Sequence, residues 1–123
     1  MTQTSTSDFA WLWIHEMGSV PHNLLSAIPR ELPEELCETL LTAANLRIER
    51  IVSRGHKSPD DFWYDQDENE WVLLVSGAAK LQFEDEAIDM QPGSFVNIPA
   101  HKRHRVAWTD PAQTTIWLAV FYS

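Results

Sequence analysis

One cysteine, Cys37, is all the sequence offers for sulfur chemistry, so no internal disulfide can form. That suits a reducing compartment. Cys37 stands in "EELCETLL" among leucines, where the expected role is a small buried hydrophobe rather than a nucleophile. Basic residues are also scarce, nine against eighteen acidic ones, for a net charge of −9. This excludes nonspecific nucleic-acid binding and argues against anionic membrane surfaces, which both need a cationic footprint. Long apolar runs are missing as well. The stretch "FAWLWI" at 9–14 is followed at once by His15 and Glu16, and no basic segment precedes it. It is too short to span a membrane and lacks the flanks of a signal peptide. Together these absences predict a soluble, cytoplasmic protein.

What is present is enough material for a core. Hydrophobic residues make up 44% of the 123, and six are Trp. A chain of this length forms one domain, and that apolar content excludes a disordered one. The sequence divides into an N-terminal arm, 1–30, and a folded body, 31–123. Residues 1–8 are polar and expected to fray. "FAWLWIHEM" is expected to be a short edge strand or an arm packed on a partner chain, and its aromatic residues favour a homodimer. The spacing within "AIPRELPEELCETLLTAANL" predicts a leading helix over 33–45. Pro33 suits a first turn, Glu34 and Glu35 complement the dipole, and Leu36, Cys37, Leu40, Leu41 and Ala44 share a face.

From residue 47 the pattern is strands and turns. "RIERIVS", "EWVLLVSG", "AKLQFED", "AIDMQPG", "SFVNIPA", "HRVAWTD" and "TTIWLAVFY" follow one another. Ser76-Gly77, Glu84-Asp85, Pro92-Gly93, Pro99 and Asp110-Pro111 punctuate them. Short strands with regular turns predict a mainly β fold, a small antiparallel barrel or jelly roll. The last strand is apolar on both faces and so is expected to be covered on both.

Two stretches carry candidate chemistry. In "DDFWYDQDENEWVLLVSG", residues 60–77, strand alternation puts Glu70, Glu68, Gln66 and Tyr64 on one face. Turned inward, that face brings a carboxylate, an amide and a phenol together, and buried charge needs a partner or a metal. A bulge shifting the register would put Asp65 and Asp67 there instead. In "GSFVNIPAHKRHRVAW", residues 93–108, a turn after Pro99 leads to His104, which shares a face with Val106 and Trp108. His101 lies at that turn. Lys102, Arg103 and Arg105 are expected to face the acidic loop 60–70 as rim ion pairs, or one Arg to hold an anionic substrate group. His56 reaches the pocket edge or stands in an exposed loop. Without a metal, Glu70 and His104 would simply hydrogen-bond each other.

The spacing resembles the cupin family. Glu70, six residues and Gly77 match the end of the first cupin motif, and Gly93, Pro99 and His104 match the second. Tyr64 and Gln66 stand where that motif carries histidines, and His101 stands where the second carries a glycine. The resemblance implies a small barrel with one divalent metal near its mouth, held by Glu70 and His104 directly. Gln66 then occupies a ligand position with a changed residue type, and Tyr64 the other. Iron, manganese, nickel or zinc are the implied ions, the open donor set being a poor cage for zinc. The rim would hold His56, His101, Arg105 and Trp108. The implied activities are those of small-molecule oxygenases or isomerases, with Tyr64 as a candidate proton donor. The alternatives are a non-catalytic module that binds or senses a small ligand or metal, and an empty barrel.

Overall fold

The computed structural model describes residues 20–123. The expectations for residues 1–8 and for "FAWLWIHEM" fall outside the described residues. Among those described there are eight strands and no helix: β1 Leu36–Ala43, β2 Leu46–Ser53, β3 Asn69–Ser76, β4 Ala79–Phe83, β5 Ala87–Met90, β6 Phe95–Ile98, β7 His104–Thr109 and β8 Thr115–Tyr122. A five-stranded sheet runs β1-β2-β8-β3-β6 and a three-stranded sheet runs β5-β4-β7. Every pairing is antiparallel. This is the jelly-roll arrangement expected, and each strand expected after residue 46 is present.

The expected helix over 33–45 is a strand instead. Cys37 pairs with Ile51 and Thr39 with Glu49, and the register slips between Thr39 and Leu41. That bulge puts two leucines side by side, which hides the two-residue alternation and imitates a helical face. Asn45, at φ 63°, closes a tight turn into β2, a backbone conformation Asn tolerates better than most residues. Pairing with β2 buries Cys37 almost completely, and this tertiary gain overrides local helix preference.

The two sheets enclose one core. Strand register places Glu70, Val72 and Leu74 of β3 opposite Phe121, Ala119 and Trp117 of β8. The same face of β8 meets Glu49 and Ile51 of β2. Leu81, Phe83, Met90, Ile98 and Val106 complete the apolar interior. Each fully buried Ile, Leu or Val side chain contributes about 1.5–3 kcal/mol. On the outer face of β2, the buried Arg50 donates to Glu38 at 2.7 Å and to the carbonyls of Leu24 at 3.0 Å and Ser26 at 2.6 Å. Residues 24–27 are thereby tied down across the sheet. No helix among the described residues is long and apolar enough to cross a membrane.

Candidate functional site

Strand β3 begins at the barrel mouth, where its second residue, Glu70, is 1% exposed. In the segment before it, which bends at Asp67 and Glu68, Tyr64, Gln66 and Glu68 are half-buried while Asp65 and Asp67 are exposed, so the carboxylates of 65 and 67 point outward. Across the mouth, β7 begins with His104, 2% exposed. Two backbone hydrogen bonds stitch Tyr64 to His104, from Tyr64 N–H at 2.7 Å and from His104 N–H at 3.2 Å. The tyrosine ring stacks on the imidazole at 5.4 Å.

The imidazole has one settled end and one open end. Its Nδ1 lies 2.9 Å from the Lys102 carbonyl oxygen. A carbonyl only accepts, so Nδ1 carries a proton. The neutral ring then presents a bare lone pair at Nε2, which is buried and has no hydrogen-bond partner. Its nearest charged neighbour is Glu70 Oε1 at 3.4 Å. Two acceptors facing each other in a dry site repel unless a cation lies between them, and that cation is a proton or a metal ion. Gln66 donates its amide N–H to the same Glu70 oxygen at 3.1 Å, so it steadies the carboxylate. Among the described residues no three of His, Cys, Asp and Glu converge on one point. The orphaned nitrogen and the adjacent carboxylate fit two corners of a divalent site, with Gln66 beside them.

Further buried charges surround this pair. Glu49, 1% exposed, accepts from Arg47 at 2.8 Å. Burial pushes its carboxyl up against the pull of Arg47, and Glu70 adds to the rise. Arg47 also reaches Glu68 at 3.1 and 3.2 Å and lies 4.3 Å over the Phe121 ring. Burial, then the charges of Glu35, Cys37 and Glu70, hold the Tyr64 phenol well above its usual range. The Tyr64 phenol therefore keeps its proton at ordinary pH. Glu35 accepts from Ser53 at 2.8 Å. It lines both a small inner cavity of about 10 Å³, shared with Glu70, and an outer cleft of about 500 Å³. Glu49 and Arg47 were not singled out from sequence, and Glu35 was expected only to complement the dipole of a helix that is not there. An acid within an otherwise β-branched run, as in "RIERIVS", is the one signal that marks Glu49.

The expected rim is partly redrawn. His56 lines the 500 Å³ cleft, its Nδ1 accepting from the Arg54 N–H at 2.9 Å. His101 grips both outward carboxylates, Asp65 at 2.8 Å and Asp67 at 3.1 Å. Its backbone sits at φ 65°. That conformation explains why a glycine belongs at this motif position. Here the residue is held by its N–H bond to the Gln66 carbonyl at 2.9 Å and by the side-chain clamp. Arg105 donates to the Ser58 and Pro59 carbonyls and reaches Asp60 only at 3.9 Å, so it braces the loop. Arg103 pairs with Glu84 and Lys102 lies over Phe83, so neither faces the acidic loop through a salt bridge. Trp108 is not a pocket wall. The register slips between Lys80 and Leu81, so Trp108 pairs beside Lys80 on the outer face, 43% exposed, and Thr109 turns inward.

Comparison with known proteins follows this geometry. A family model for the cupin domain, Cupin_2, matches residues 50–121. No curated protein matches the sequence. Among solved structures, a protein of Ralstonia eutropha JMP134 described provisionally as a mannose-6-phosphate isomerase is 44% identical with a TM-score of 0.82, covering 85% of this chain and 98% of that one. A cupin superfamily protein of Desulfitobacterium hafniense DCB-2 is 21% identical with a TM-score of 0.70, covering 85% and 91%. The polyketide cyclase RemF of Streptomyces resistomycificus is 20% identical with a TM-score of 0.63, covering 73% and 66%. The last two share the fold.

Proposed function

The chain belongs to the cupin-domain family, and on that premise we propose that it is a small-molecule metalloenzyme of isomerase type, with one divalent ion held by Glu70 and His104. One observation carries this reading: the buried, unpartnered Nε2 of His104 lies 3.4 Å from the Glu70 carboxylate. A divalent ion bound there supplies Lewis acidity toward a carbonyl or hydroxyl oxygen. The chain's own groups do the rest. The Lys102 carbonyl fixes the tautomer of His104. Gln66 orients Glu70. Tyr64, kept protonated, donates a proton at its hydroxyl. Glu49 is a buried carboxyl poised to take and return one. Isomerase chemistry is preferred over oxygenase chemistry because moving a proton between neighbouring carbons needs such groups. The name given to the 44% identical relative points the same way.

Two further expectations belong to this reading. The half-buried Trp71, Leu73, Leu118 and Val120 and the 65% exposed Phe95 line the outer face of the five-stranded sheet, which favours a homodimer. The single buried thiol suits the cytoplasm.

Elemental analysis of protein purified without chelator tests the metal. About one divalent ion per chain is expected, lost in His104→Ala and Glu70→Gln while circular dichroism keeps the strand signal. Wild-type protein with no more metal than the variants overturns the proposal. A second reading, a ligand-binding module without chemistry, draws on Gln66: it turns an N–H, not an oxygen, to Glu70 and leaves only two strong donors at the centre.

A further inference from the structure

Beside Gln66 the barrel mouth opens into a cleft of about 520 Å³ between the 62–68 segment, β2 and β8. We propose that this cleft binds a small organic cation with a flat apolar face, an arylalkylammonium in class, and rejects phosphorylated sugars. The proposal deepens the reading above and rests on it only for placing the chemistry at the inner wall. There Gln66 links the cleft to Glu70, behind which the unpartnered His104 nitrogen is buried.

Charge is the first argument. Among the described residues, the only basic side chain lining the cleft is Arg47. Its guanidinium is shared between Glu49 and Glu68, which outnumber it. Asp65 and Asp67 likewise outnumber the His101 between them. Other cations near the mouth line no part of the cleft: Arg105 binds loop carbonyls and Arg103 pairs with Glu84, both behind the Trp63 ring, while Lys102 lies over Phe83 and Lys57 beside Asp60. A phosphate in this cleft would meet the carboxylates of Asp65 and Glu68 and an Arg47 already shared between two acids, whereas an ammonium group meets a negative field.

Ring faces are the second argument. Phe62, Trp63, Tyr64 and Phe121 all line the cleft. The protein already uses such faces for planar cations, with Arg47 over Phe121 at 4.3 Å and Arg103 over Trp63 at 5.3 Å. Phe62, 44% exposed and edge-on to Tyr64 at 4.9 Å, is the ring left open to a ligand.

Three probes of nearly equal shape isolate the charge: phenethylammonium, 2-phenylethanol and phenylacetate, with mannose 6-phosphate as the fourth. Each is titrated into the isotope-labelled full chain and followed by NMR at low and high salt. Phenethylammonium is expected to bind about tenfold more tightly than phenylacetate and to weaken with salt. Glu68→Gln and Phe62→Ala each weaken it severalfold, and mannose 6-phosphate does not saturate. Phenylacetate or mannose 6-phosphate binding as tightly as phenethylammonium overturns the proposal, as does phenethylammonium that fails to saturate. The metal content of the same sample judges the reading above separately: a metal-free protein that prefers the cation sinks that reading and keeps this one.

Discussion

Two glycines share one backbone conformation and differ in surroundings, which makes them a matched pair. Gly77 and Gly93 both have φ 93°. A Cβ built on Gly93 meets nothing within 4 Å, whereas one on Gly77 would overlap Thr115 Oγ1 and Cα and lie 2.8 Å from the Thr114 carbonyl oxygen. Thr115 cannot step aside. It is fully buried at the start of β8, and its hydroxyl bridges the N–H and carbonyl of Ala78 at 3.3 Å each. An L side chain in this left-handed conformation costs roughly 1–2 kcal/mol, and that is the whole cost expected for Gly93→Ala. Crowding against immovable backbone adds about 1–3 kcal/mol, so Gly77→Ala should lose roughly 2–5 kcal/mol. Urea unfolding measures both. With a slope near 2 kcal/mol per molar, the Gly77→Ala midpoint should fall by roughly 1–2.5 M, and that of Gly93→Ala by roughly 0.5–1 M. Equal shifts for the two variants would refute the idea that contact with β8, rather than the dihedral, reserves position 77 for glycine.

Other outcomes follow from the titrating groups. The Asp65 hydrogen bond raises the pKa of His101, with Asp65 and Asp67 adding to it. The clamp's stabilisation is therefore fully present below the unfolded histidine pKa of about 6.5 and is lost as pH rises through the folded value. Urea midpoints across pH 5–9 should show that decline, and the double variant Asp65→Asn with Asp67→Asn should flatten it; an unchanged slope would show the clamp is idle. Burial pushes the Cys37 thiol up to about 12. The native protein should resist thiol reagents at pH 8 and react once unfolded, and fast native labelling would contradict the burial. Tyr64 should stay protonated in ultraviolet titration well above the usual phenol range of about pH 10; a Tyr64→Phe variant that leaves the late-ionising fraction in place would disprove the assignment.

The strands were legible because alternation and turn residues agree over residues 46–122. The site was legible because Glu70 and His104 each open a strand after a recognisable break, and alternation alone put Gln66 and Tyr64 on the side of Glu70. Three things were hidden, and each traces to a break in alternation or to a distant partner. The doublet Leu40-Leu41 at the β1 bulge looked helical. The slip opposite Lys80 sent Trp108 outward. Glu49 gains its meaning only from Arg47 two residues earlier and from Glu70 across β8, a closeness that no local pattern encodes. The rim cations were only partly legible: Arg105 does reach Asp60 of the acidic loop, at 3.9 Å, but it also answers loop carbonyls, which sequence patterns do not display as charge partners, and Arg103 pairs with Glu84 instead.

The kink in β1 governs how copies of this molecule can meet. β1 is the rim of the larger sheet, and its interrupted spacing cannot zip along a neighbouring molecule. At the opposite rim β6 is only four residues long, and Pro99 follows it directly. In the smaller sheet the flank of β7 is already occupied by the backbone of Ser58 and Tyr64. The fourth border, β5, is only four residues long, so endless rim-to-rim growth into fibrils has no long flat edge to start from, and self-association is left to broad faces, where contact is finite.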